Sequence, residues 1–266
     1  MSTAANHSEP LLALEHVLVN FGGLRALADV SFCVHAGEIV GLIGPNGAGK
    51  TTAFNLITGF LPPSSGRIMY RGIELNGRPP HAIAALGVVR TFQRTSVFPQ
   101  STVLENALIG LHRQSRARLW DTLFALPGDT SQRDLAAQAW SILQLVGLEA
   151  RAEDLAASLP YGEQRLVGVA VALAARPVML LLDEPVSGMN PSETARFMQL
   201  IEHIRAQGVT ILLVEHDMRM VMGISDRVVV LNHGQVIAEG PPASVQRDAA
   251  VMRAYLGRGS AGAGHT

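Results

Sequence analysis

Nine consecutive residues, Gly44-Pro45-Asn46-Gly47-Ala48-Gly49-Lys50-Thr51-Thr52, carry the strongest chemical signal in the chain, because Gly44 to Thr51 satisfies the spacing G-x-x-x-x-G-K-[ST]. Glycines so spaced let backbone N–H groups turn inward around a phosphate, and the helix that follows adds its positive end. Lys50 would then reach the β- and γ-phosphates, and the Thr51 hydroxyl would ligate Mg²⁺. The plain alternative is a Gly-rich turn. The buried-strand pattern Glu38–Ile43 before the run and the helical pattern Ala53–Thr58 after it favour the phosphate loop.

Asp183 and Glu184 close a second candidate. They follow the apolar run Val178–Leu182, and two adjacent carboxylates at a buried strand end need a cation or hydrogen-bond partners. Asp183 is suited to hold Mg²⁺, directly or through water, and Glu184 to orient or deprotonate a water that attacks a γ-phosphate. Taken alone the pair could equally be solvated charges at the start of a loop.

Weaker signals surround these two. His216 follows the strand-like Val209–Val214, where it is either a phosphate contact or a structural histidine. Gln93 ends Val89-Arg90-Thr91-Phe92, and a lone glutamine is ordinarily a surface residue. Tyr161-Gly162-Glu163-Gln164-Arg165 precedes an apolar helix expected over Leu166–Ala175, so its backbone could receive an anion or merely begin that helix. Phe21, on the turn Asn20-Phe21-Gly22-Gly23, reads locally as a core side chain rather than as a ring stacked on a base.

The elements that must position these residues alternate. Strands at Leu11–Val17, Val30–His35 and Arg67–Tyr70 suggest a small antiparallel sheet. From about Thr95 to Pro160 the pattern is helical, with helices at Thr102–Leu111 and Ser131–Val146 around a Trp120/Phe124/Pro127/Gly128 connection, and reads as an inserted subdomain. Strand and helix then alternate again: Val178–Leu182, Ser192–Gln207, Val209–Val214, Arg227–Leu231, Gln235–Ala238 and Ala249–Leu256. The expected class is α/β, with a parallel P-loop core, an antiparallel β subdomain and an inserted α-helical subdomain. In parallel sheets ligands lie beyond the carboxyl ends of the strands, where Gly44, Asp183 and His216 all fall. Residues 1–10 read as flexible, 11–257 as one domain and 258–266 as a disordered tail.

The 266 residues, 48% hydrophobic and 16% charged, suit a sheet covered on both faces. A net charge of −1 offers no general attraction to nucleic acid or anionic lipid. The single cysteine, Cys33, supports neither a disulfide nor a cysteine metal site and reads as a small buried hydrophobe. Neither end resembles a targeting peptide, and the apolar stretch Leu166–Leu182 is broken by Arg176-Pro177, so a cytoplasmic protein is expected.

Taken together, the ordered motifs resemble the nucleotide-binding subunit of ABC transporters over nearly the whole chain. The motifs are phosphate loop Gly44–Thr52, Gln93, Tyr161–Arg165, Asp183-Glu184 and His216. That resemblance implies ATP and Mg²⁺ as ligands, with Thr51, Gln93 and Asp183 around the metal and Glu184, Gln93 and His216 in catalysis. It makes Phe21 the adenine-stacking residue, and places Tyr161, Gly162, Glu163 and Gln164 against a partner's ATP. The stretches Leu86–Gln93, Val103–Asn106, Ser187–Pro191, Gln235–Gly240 and Ala254–Gly257 are similar to one ATPase subunit of branched-chain amino acid importers. Such importers imply a second ATP-binding subunit, two membrane permeases and a periplasmic binding protein, with this chain peripheral on the cytoplasmic face of the inner membrane. An ABC-type ATPase acting on a ribosome or DNA, a P-loop small-molecule kinase and a non-hydrolysing nucleotide sensor are the rivals. Two departures stand out: Pro160 replaces the family's signature serine, removing a hydroxyl and an N–H, and Asn190 replaces a usual aspartate.

Overall fold

The structure is a computed structural model that describes residues 9–91, 97–112 and 130–256. Gln93, the Trp120–Gly128 connection, nearly all of the expected flexible N-terminus and the tail from Gly257 lie outside the described residues. The chain divides into two compact units, one formed by the chain up to Ala84 and from Arg205 onward, the other by Ala85–Ile204.

In the first unit β1 (Leu12–Phe21) and β2 (Leu24–Val34) form an antiparallel hairpin that closes with Phe21 opposite Leu24, so only Gly22 and Gly23 make the turn. Both strands run further than their sequence pattern suggests. His16 and Asp29 take left-handed backbone angles, φ 51° and 60°, and the register shifts around Val17. A bulge inverts the in-out alternation, which is where the periodicity stops being readable. β3 (Ile39–Ile43) is buried at every position and leads through the glycine run into α1 (Lys50–Ile57). β4 (Ser65–Tyr70) pairs with the other edge of β1, β5 (Ile73–Glu74) follows, and α2 (Pro80–Ala85) ends this passage.

The second unit begins with β6 (Val88–Arg90), a three-residue strand with no signal of its own, which pairs parallel with β7 through Val88 opposite Met179. Between them come α3 (Val103–His112), α4 (Thr130–Val146), two short 3₁₀ turns and α5 (Tyr161–Ala174). These three helices pack on one another, so the helical stretch expected up to about 160 continues through α5. The N-terminus of α3 is fixed by a capping box: the Glu105 amide donates to the Thr102 hydroxyl at 3.1 Å, and the Thr102 amide to the Glu105 carboxylate at 2.8 Å. β7 (Met179–Asp183) is fully buried, and α6 (Pro191–Ala206) follows it.

The chain then returns to the first unit with β8 (Thr210–Val214), α7 (Met218–Ile224), β9 (Arg227–Asn232), β10 (Gln235–Gly240), α8 (Pro242–Val245) and α9 (Ala249–Leu256). β3 lies between β8 and β9, parallel to both. β10 runs antiparallel to β9, because the short turn at His233 and Gly234 cannot make the crossover a parallel pair needs. Arg227 at the start of β9 donates to the Glu38 carboxylate at 2.9 Å and to the Cys33 carbonyl at 2.6 Å, tying it to the end of β2. Cys33 is part-buried, its sulfur 3.6 Å from His35 Nε2.

Candidate nucleotide site

Leu42 of β3 is register partner to Val214 of β8, so the carboxyl ends of both strands lie side by side. Gly44 and His216 each stand two residues beyond that pair. His216 is exposed there, and its amide donates to the buried Glu215 carboxylate at 3.0 Å. Asp217 then caps α7 by accepting from the Arg219 and Met220 amides.

The glycine run curls around its own lysine. Lys50 is 6% exposed, and its ammonium donates to the Gly44 carbonyl at 2.7 Å and the Pro45 carbonyl at 3.2 Å, which satisfies a buried charge. Asn46, Gly47 and Thr51 face outward, whereas Gly44 and Ala48 are buried. No side chain caps the start of α1, and its first turn holds no acidic residue. The uncapped amides and the positive helix end therefore favour an anion. Phe21 is 50% exposed at the end of β1, which overturns its local reading as a core phenylalanine and leaves the ring free to stack.

Two supports of this loop carry no signature in sequence. Gly234, in the β9–β10 turn, donates its amide to the Ala48 carbonyl at 3.0 Å and accepts from the Ala28 amide of β2 at 2.7 Å. Tyr255 of α9 stands by the loop's first residue. Burial raises its phenol above the ordinary value, while the Gly44 N–H facing it acts in the opposite sense.

In the second unit, Asp183 is the last residue of β7 and accepts from Arg90 Nη2 at 2.5 Å. Glu184 immediately leaves the strand with φ 47°, a left-handed angle costing roughly 1–3 kcal/mol for a side-chain-bearing residue.

α5 begins at Tyr161, five residues before the expected start, because Pro160 serves as its N-cap residue and accepts the Gln164 amide at 3.0 Å. Gln164 also donates its side-chain amide to the Leu159 carbonyl at 2.9 Å, and Glu163 pairs with Arg151 at 3.6 Å. Tyr161 is 53% exposed. Arg165 donates to its hydroxyl at 2.5 Å with the guanidinium 5.0 Å from the ring centre. Asn190 caps α6: its side-chain oxygen accepts from the Ser192 and Glu193 amides, each at 3.0 Å, and Glu193 accepts the Asn190 amide at 2.8 Å. A capping box accounts for an asparagine here without any charge.

No group of three or more His, Cys, Asp or Glu side chains suited to a metal occurs among the described residues. Mg²⁺ is ordinarily held by one or two carboxylates, a hydroxyl and substrate phosphates rather than by an all-protein cage, and the Asp183 carboxylate and Thr51 hydroxyl are donors of that chemistry.

A buried parallel strand, a glycine loop wrapped on its lysine and a second buried strand ending at Asp183, with Glu184 just beyond it, define a P-loop ATPase cassette. The ABC transporter family matches residues 27–187, and a family of branched-chain amino acid ATP-binding cassette transporters matches residues 235–261. The high-affinity branched-chain amino acid transport ATP-binding protein LivG of Escherichia coli is 44% identical over 94% of this chain and 99% of its own. BraF of Pseudomonas aeruginosa, of the same description, is 42% identical over 94% and 99%. The crystal structure of an ABC transporter cassette in its ADP conformation superposes with a TM-score of 0.83 at 32% identity, covering 94% of this chain and all of that one. The chain belongs to the ABC transporter ATP-binding family. No helix among the described residues is long and apolar enough to cross a membrane.

Proposed function

We propose that this chain is the ATP-hydrolysing subunit of an importer for branched-chain amino acids, working from the cytoplasmic face of the inner membrane. It pairs with a second ATP-binding subunit and drives two permeases, to which a periplasmic binding protein delivers the substrate. The observation that carries the reading is the phosphate loop closed on Lys50, in a chain so similar to LivG and BraF over almost its full length.

Lys50 and the amides from Asn46 to Thr52 hold the triphosphate, and Phe21 stacks on adenine. Thr51, Asp183 and Gln93 hold Mg²⁺, which when bound neutralises charge on the transferred phosphoryl group. Glu184 orients and deprotonates the attacking water, while His216 and Gln93 contact the γ-phosphate side. Tyr161, Gly162, Glu163 and Gln164 complete the partner's ATP site. The Tyr161 hydroxyl, held by Arg165, supplies a donor where Pro160 has none.

Glu184→Gln tests this directly. ATP binding should persist while turnover in the assembled transporter falls by roughly 10²–10⁴-fold. Wild-type hydrolysis in that variant would remove Glu184 from the role of base.

A further inference from the structure

We propose that Arg90 is the positioning residue for the metal-side carboxylate, holding Asp183 in the one orientation that serves Mg²⁺. This rests on the reading of Asp183 as a metal-holding residue.

Arg90 and Asp183 end the neighbouring parallel strands β6 and β7. Arg90 is register partner to Leu181, and Asp183 lies two residues further on. The two side chains are 8% and 4% exposed, so the ion pair is almost wholly out of water. Burying each ion carries a desolvation penalty, and a buried pair is therefore a poor device for stability alone.

A fork of two parallel bonds is the strongest arginine–carboxylate arrangement. Here one guanidinium nitrogen, Nη2, meets one carboxylate oxygen, Oδ2, at 2.5 Å. That bond orients the carboxyl group and leaves Oδ1 as the oxygen not held by the arginine.

The backbone beside Arg90 is anchored to β7. Thr91, the next residue, donates its amide to the Leu181 carbonyl at 3.0 Å, and Thr91 Oγ1 donates to the same carbonyl at 3.4 Å. The short strand β6 thus brings a cation from an anchored backbone to the carboxylate. Second ligand shells of this kind are commonly worth 10–100-fold in metal affinity.

The test compares ATP binding by calorimetry with Mn²⁺ and with EDTA, in the full chain and its Arg90→Met and Arg90→Lys variants. Without metal, all three bind ATP within about twofold of one another. The gain in ATP affinity that Mn²⁺ confers should fall about tenfold in Arg90→Met, with a smaller fall in Arg90→Lys, whose point charge lacks the planar orientation. An unchanged or enlarged gain in either variant overturns the proposal, an enlarged one making Arg90 a competitor of the metal. Where Arg90→Met fails to fold because Asp183 is left unpaired, Arg90→Lys decides. A wild type that gains nothing from Mn²⁺ overturns instead the reading of Asp183 on which this rests.

Discussion

The carbonyl oxygen of Leu231, on β9, occupies the place where a side chain on Gly44 would have to begin. Gly44 also takes φ 151°, so a substitution there meets both a backbone obstacle and an unfavourable angle. Gly47, by contrast, has φ 81° but open space around it. We expect Gly44→Ala to lose nucleotide binding and to unfold at markedly lower temperature. Gly47→Ala should cost only about 1–2 kcal/mol of strain. Differential scanning calorimetry with and without ATP separates the two.

Lys50 is held by the carbonyls it is meant to organise. Lys50→Ala removes a buried charge with two donated bonds and a phosphate contact. A charge-assisted hydrogen bond contributes about 1.5–3 kcal/mol, so ATP affinity should fall roughly 10–100-fold. Unchanged binding by titration calorimetry would exclude the loop as the phosphate site.

Asn190 separates capping from charge. Asn190→Ala leaves the Ser192 and Glu193 amides without their acceptor and should cost about 1 kcal/mol. In a chain of this size that lowers the unfolding temperature by roughly 2–4 °C. Asn190→Asp keeps the cap and adds a negative charge at a helix N-terminus, so it should melt no lower than wild type.

Glu38 carries a pH dependence with a definite sign. Burial pushes its carboxyl up, but the bond from Arg227, the His35 amide and the Arg227 charge outweigh it, and the net shift is below the ordinary 4.5. The folded chain then holds that proton less tightly than the unfolded one. The contribution is complete above the ordinary value and is lost as pH falls through the folded value. Glu38→Gln should be less stable than wild type at neutral pH, and in urea unfolding the gap should close as pH falls below the ordinary carboxylate range. A gap that stays constant with pH would rule out the linkage.

The features legible in sequence are those written in consecutive residues. Gly44–Thr51 names its loop, and Val178–Leu182 followed by Asp183-Glu184 names a buried strand with a charged end, because spacing and hydrophobicity suffice for both. β6 is too short for periodicity to register, yet it delivers Arg90. The start of α5 was hidden by Pro160 and Gly162, two residues that ordinarily signal a break, although a proline carbonyl caps a helix well. The outer halves of β1 and β2 were hidden by bulges at His16 and Asp29. Asn190 and Glu193 do spell a capping box in sequence, and only the bonds show that it is used.

The phosphate loop is written near the beginning of the chain, but it is buttressed from near the end. Gly234 clasps Ala48 on one side and Ala28 on the other, and Leu231 defines the floor under Gly44. A nascent chain that has emerged only through α1 possesses the whole motif and none of this backing. Competence to bind nucleotide must therefore arrive late in synthesis, after β9 has threaded beside β3, and ATP would report completed folding rather than guide it.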